Sequence, residues 1–151
     1  MKILIAGDSW GCGEWSFTGD EDDRIHITHK GLETYLKEGR HRVKNVSTAG
    51  GTFETILHRL KLEIKPFDAT FVFVTDAFRE TKPASAFKTD IFWSQELTPQ
   101  YYKDLYQQKL REFVHNLSML PPERGPIYLI GCLSKLTHQL NQGHVKVAIP
   151  S

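Results

Sequence analysis

Cysteine is scarce in this chain, with Cys12 and Cys132 the only two among 151 residues and neither at the spacing of a metal site. They give no ground for a disulfide framework, and the expectation is reduced thiols in a cytoplasmic setting. Charge of one sign is lacking too: 19 Lys and Arg stand against 18 Asp and Glu, a net of +1. That balance speaks against a nucleic-acid binder, which shows a basic face or stripe. No stretch reaches the ~20 apolar residues of a membrane span. The N-terminal apolar run Ile3–Ala6 is too short for a secretory signal and reads as a strand. There are no internal repeats, no low-complexity tracts and no phosphate-binding P-loop. Gly7, Gly11 and Gly13 do not make a dinucleotide fingerprint, because Ser16 follows where a third glycine belongs and the tip of the second strand is not acidic. The acidic run Asp20-Glu21-Asp22-Asp23 fits no standard cation loop, with Gly19 misplaced for one, and reads as solvated. Neither a metal nor an organic cofactor is implied.

What is present is an ordinary globular composition, 40 % apolar and 25 % charged, in a length that suits one domain over residues 1–151. Residues 2–6 are a continuous apolar run closed by glycine, the pattern of a strand buried on both faces. Residues 10–29 read as a polar loop. A first helix is expected from about Lys30 to Glu38, with Leu32, Tyr35 and Leu36 at helical spacing and Gly39 at its end. Val43–Val46 is a short second strand. Thr52 is placed to cap a second helix whose stripe is Phe53, Ile56, Leu57 and Leu60. Ala69–Val74 is a third strand. Residues 77–97, with Phe87, Ile91, Phe92 and Trp93, form a long connection that reads equally as a lid over an acyl chain, a contact between copies in an oligomer, or packing. Thr98-Pro99 opens a third helix bearing Tyr102, Leu105, Tyr106, Leu110, Phe113, Val114 and Leu117 at helical spacing. Ile127–Ile130 is a fourth strand, residues 134–142 a short helix, and Val145–Ile149 a fifth strand. Alternating strands and helices imply an α/β three-layer sandwich around a parallel sheet with right-handed crossovers, in the flavodoxin-like order 2-1-3-4-5.

In that order the tips of the first three strands meet at one crevice. They carry Gly7-Asp8-Ser9, the run Asn45–Thr52 with Gly50, and Thr75-Asp76. These segments resemble the blocks of the SGNH hydrolases, the GDSL-type esterases and lipases. Those blocks are Gly-Asp-Ser after the first strand, a glycine after the second, and Gly-x-Asn-Asp after the third. The resemblance covers residues 1–80 by motif and the remainder by strand order. It implies a serine hydrolase acting on an ester or acetyl group of a small molecule, with Ser9 as nucleophile and the backbone N–H groups of Ser9 and Gly50 as oxyanion donors. Glycine at position 50 lets substrate approach the backbone closely. Thr75 stands where the family has an asparagine donor, Asp76 is retained after it, and Phe73 stands where a glycine is expected. Losing one oxyanion donor costs on the order of 100–1000-fold in rate. The chain is also similar to short SGNH-like proteins of tailed phages, through Trp10–Trp15 and Thr75–Arg79.

The family draws its base from an Asp-x-x-His near the C-terminus, after the fifth strand. No aspartate follows Asp104 here, so that block is absent and the catalytic set is incomplete. The chain ends at the edge of its fifth strand, where the histidine-bearing loop would still lie ahead, so either the fold is shortened or the base comes from elsewhere. Of seven histidines, His41 and His144 fall at the wrong end of the sheet, and His58 and His115 sit on helices. The order of candidates is His29, His26, His138. Asp8 is expected to support the turn as an Asx-type cap. Arg79 and Glu80 read as anion recognition or as a solvated pair. Against the hydrolase stands a reading from another class, a catalytically reduced module that uses the same crevice for binding or the same fold for assembly.

Overall fold

The computed structural model describes residues 1–17, 25–74, 99–131 and 136–149. In chain order these form β1 (Lys2–Ala6), α1 (Ser9–Cys12), β2 (Glu14–Phe17), β3 (Ile25–His29), α2 (Leu32–Glu38), β4 (Arg42–Asn45), α3 (Phe53–Leu62), β5 (Ala69–Val74), α4 (Pro99–Ser118), β6 (Ile127–Gly131) and β7 (Val145–Ile149). Five strands make an all-parallel sheet in the order β4-β1-β5-β6-β7, the expected 2-1-3-4-5. The fold is a three-layer α/β sandwich. β1 lies between β4 and β5, so whatever follows its tip emerges beside the ends of both neighbours.

One face of the sheet carries the main core. Leu4, Ala6, Val72, Val74, Leu129 and Val147 pack against α3 and α4, where Ile56, Leu60, Leu110 and Leu117 are buried. Phe53 stacks on Phe113 with ring centroids 4.2 Å apart, joining the two helices. Thr52 caps α3 as its residue type suggests, its Oγ1 accepting the Thr55 N–H at 3.2 Å. The opposite face holds Ile3 and Ile5, both buried, and the stacked pair Phe71 and Tyr128. α2 packs along β4 at that edge. No described helix is long and apolar enough to cross a membrane.

Three expectations are corrected. The segment 10–29 is not a plain polar loop: it holds the short α1 and the antiparallel ladder β2–β3, with Trp15 opposite Ile27 and Phe17 opposite Ile25. The alternation Trp15-Ser16-Phe17 and Ile25-His26-Ile27 carries the strand period, masked by the acidic run between. On α2 the inward residue is Glu33, 7 % exposed, while Tyr35 is 62 % exposed. The helix sits at the sheet edge, where Glu33 meets Asn45 and Leu32 and Leu36 are half-buried. Between β6 and β7 the described part of the expected short helix 134–142 forms a 3-10 turn, His138–Leu140, and residues 134 and 135 lie outside the described residues. The long connection 77–97, Thr98 and Cys132 lie outside the described residues.

Candidate active site

The site begins where β1 stops. A Cβ built on Gly7 would stand 2.6 Å from the Phe73 Cβ, so only glycine lets the chain leave the strand against β5. Asp8 follows, fully buried, and caps α1: its Oδ1 accepts the Trp10 N–H at 3.0 Å. Its main-chain carbonyl accepts from Gly11 at 3.1 Å and from Cys12 at 3.2 Å. This is the Asx-type support expected of it. Ser9 is therefore the first residue of α1, half-buried. Neither its hydroxyl nor its backbone N–H has a hydrogen-bond partner among the described residues.

A second turn lies against this one. The ladder between β1 and β4 runs past the strand ends, with Val46 N–H donating to Ile5 at 2.8 Å and Thr48 N–H donating to Gly7 at 3.0 Å. Gly51 N–H then closes onto the Thr48 carbonyl at 2.8 Å. A Cβ on Gly51 would stand 3.2 Å from the Gly7 carbonyl oxygen and 3.4 Å from the Asp8 Cα, so the turn is seated directly on the serine turn. Gly50 has φ +73 and open space around its Cβ position. Its N–H has no partner among the described residues. Two unengaged N–H groups and one unengaged hydroxyl thus occupy adjoining turns.

Asn45, at the end of β4, ties the two turns together. Its Nδ2 donates to the Gly11 carbonyl at 2.9 Å, and its Oδ1 accepts the Ser47 N–H at 3.0 Å. Gly11 is compact of necessity, because a Cβ there would collide with the Ser47 Oγ. Behind Asn45 lies Glu33. Burial pushes the Glu33 carboxyl up, but hydrogen bonds from Lys37 and Asn45 and the charges of Lys37 and Lys30 outweigh it and hold it below the ordinary range. The Lys37 ammonium is 2.6 Å away and that of Lys30 is 3.9 Å away. Cys12, half-buried on α1, is pushed the other way: burial and the nearby Asp8 carboxylate raise its thiol, against the Ala49 N–H and Arg59. A smaller thiolate fraction is the consequence. Neither Asn45 nor Glu33 was singled out by sequence pattern. The signal for Asn45 was an Asx-type turn, its side chain accepting from the residue two positions on.

The histidines distribute as follows. His29 ends β3 and returns close to the serine turn, its carbonyl oxygen lying against Gly13. Its Nδ1 accepts the Gly31 N–H at 3.0 Å, and its ring lies 5.3 Å from that of Tyr35. With Nδ1 so engaged, the neutral ring carries its proton on Nε2. His26 is on β3 opposite Ser16, and its side chain lies outside the described residues. His138 is exposed in the 3-10 turn before β7, and β5 and β6 separate β7 from β1, roughly 14 Å at ordinary strand spacing. His41 and His144 precede β4 and β7, at the far end of the sheet, while His58 and His115 are exposed on α3 and α4. Thr75 and Asp76 follow β5 and lie outside the described residues, as do Arg79 and Glu80. Among the described residues there is no group of three or more His, Cys, Asp or Glu side chains able to hold a metal.

No protein-family model matches the chain, and no curated protein sequence does. Solved structures do. TesA is 21 % identical over 87 % of this chain and 61 % of its own, with a TM-score of 0.47. Axe2, an acetylxylan esterase from Geobacillus stearothermophilus, is represented by a catalytic mutant that is 21 % identical over 85 % of this chain and 57 % of its own, with a TM-score of 0.44. LAE5, an α/β hydrolase enzyme from the metagenome of Lake Arreo, is 19 % identical over 85 % of this chain and 58 % of its own, with a TM-score of 0.42. The chain thus spans about three-fifths of the length of the structures it is similar to. A GDSL-like lipase from Parabacteroides merdae is a further similar structure, 18 % identical over 85 % of this chain and 57 % of its own, with a TM-score of 0.43.

Proposed function

We propose that this chain is an SGNH-like serine hydrolase domain that cleaves an ester or acetyl group through Ser9. The observation that carries the reading is the pair of adjoining turns, with the Ser9 hydroxyl at the tip of β1 and the N–H groups of Ser9 and Gly50 all unengaged among the described residues. In the reaction, Ser9 Oγ attacks the carbonyl carbon and gives its proton to a base. The oxyanion is stabilised by the two N–H groups and the Thr75 hydroxyl. The leaving alcohol takes up the proton, and water then releases the acid from the acyl-serine. Asp8 holds the nucleophile turn, and Asp76 accompanies Thr75. His29 is the first candidate base. Because its Nδ1 is held by Gly31, it acts only after the ring frees a nitrogen lone pair for Ser9.

A second reading, a catalytically reduced module that binds through the crevice or assembles with partners, is favoured by one observation. No described imidazole is hydrogen-bonded to Ser9. A fluorophosphonate reagent separates the two, since it labels only an activated serine. Labelling that disappears in Ser9→Ala, and falls in His29→Ala or His26→Ala, supports the hydrolase. An unlabelled wild-type chain at high reagent leaves the binding module.

A further inference from the structure

We propose that Asn45 is the positioning residue that couples the Ser9 turn to the Gly50 turn. The inference rests on the hydrolase reading only for its catalytic meaning; the coupling itself stands on geometry. The two turns leave different strands and are far apart in sequence. Backbone contacts seat Gly51 on Gly7 and Asp8, and Gly11 packs closely on Ser47. Asn45 adds a directed side-chain tie between α1 and the second turn. One amide plane donates to Gly11 at 2.9 Å, two residues beyond Ser9, and accepts from Ser47 at 3.0 Å, the residue that opens the second turn. A planar group with a donor and an acceptor fixed at opposite ends sets both turns at once, and no other protein side chain of this size has both. Aspartate keeps the acceptor for Ser47 and turns a second acceptor on the Gly11 carbonyl. The Asn45 side chain also interacts with the Glu33 carboxylate behind it.

The ionisable groups around this clamp are Glu33, Lys37 and Lys30 on the α2 side and the Asp8 carboxylate and the Cys12 thiol on the α1 side. Asn45 does not titrate, so the coupling is constant through neutral pH. Displacing a nucleophile by an ångström costs on the order of 100-fold in rate, and that is the scale on which the clamp acts.

The experiment compares wild type, Asn45→Asp and Asn45→Ala by two readouts. One is the backbone amide resonances of Ser9 and Gly50, with Leu117 as a remote control. The other is fluorophosphonate labelling resolved into reversible binding and the bond-forming rate. The expected result is that both turn resonances move while Leu117 stays. The bond-forming rate should fall on the order of 10–100-fold with reversible binding unchanged. A folded Asn45→Asp chain with Ser9 and Gly50 resonances at their wild-type positions overturns the proposal. If the resonances move but the wild-type chain is never labelled, the clamp stands and the hydrolase reading falls. Should both variants fail to fold, solvent exchange of the Asn45 side-chain amide protons in the wild-type chain decides. Slow exchange supports the clamp, and exchange at the rate of a free asparagine refutes it.

Discussion

Gly11→Ala combined with Ser47→Gly is the sharpest test of how the two turns fit. Gly11 lies in α1 with ordinary helical backbone, so alanine meets no conformational penalty there. A helical Gly→Ala change by itself would stabilise by about 0.5–1 kcal/mol. The new Cβ, however, collides with the Ser47 Oγ, lies 3.0 Å from the Ser47 Cβ and 3.3 Å from the Phe73 ring. Overpacking of this kind costs about 1–3 kcal/mol. The net expectation for Gly11→Ala is a loss of about 0.5–2 kcal/mol, or a fall in Tm of a few degrees for a chain of this size. Ser47→Gly deletes both Ser47 atoms the new methyl meets, and the Oγ it removes is buried without a partner. The double variant should recover most of the loss, giving a coupling of about 1–3 kcal/mol in a urea-unfolding cycle. Gly13→Ala is the contrasting control. Gly13 has φ +116, and its Cβ would meet the His29 carbonyl and the Lys30 backbone, so no side-chain truncation relieves it. If the Gly11 and Ser47 changes are additive, the serine turn is not seated on the second turn as described, and the close packing of the site is refuted.

Thr52→Ala should cost about 1 kcal/mol, because it removes the Oγ1 that satisfies the Thr55 N–H at the start of α3; thermal unfolding measures it, and Thr52→Ser should restore most of the loss. Glu33 predicts an acid limb in the stability profile. Its carboxyl is held below the ordinary range in the folded chain, so its contribution is complete above the unfolded value near ~4.3 and fades as pH falls through the lower folded value. Glu33→Gln should flatten that limb in urea titrations between about pH 5 and pH 2, and an unchanged slope would show that the carboxylate is not held as described.

Local pattern was enough for the frame. Apolar runs mark β1, β5 and β6 within a residue, with glycine closing β1 and β6 and Thr75 following β5, because a strand buried on both faces needs a largely apolar run. Thr52 announced the start of α3 because a cap is a contact over three residues. The alternation of strands and helices then leaves few right-handed arrangements, of which 2-1-3-4-5 is the one adopted. Gly7-Asp8-Ser9 was legible for the same reason: an Asx cap and a glycine exit are local events.

Tertiary structure alone decided the rest. The inward turn of Glu33 and the outward turn of Tyr35 depend on α2 lying at the sheet edge over Asn45, a fact that helical spacing does not contain. His26 and His29 share the same short segment, and only the pairing of β2 with β3 places His29 beside Gly13 with its Nδ1 already occupied. The union of the Ser9 and Gly50 turns through one amide requires β1 and β4 to be neighbours. Sequence by itself determined which residues end the strands, since that is set by backbone and burial within a few positions. The three-dimensional fold determined which of those ends touch, because contact between residues 11 and 45 exists only once the sheet has formed.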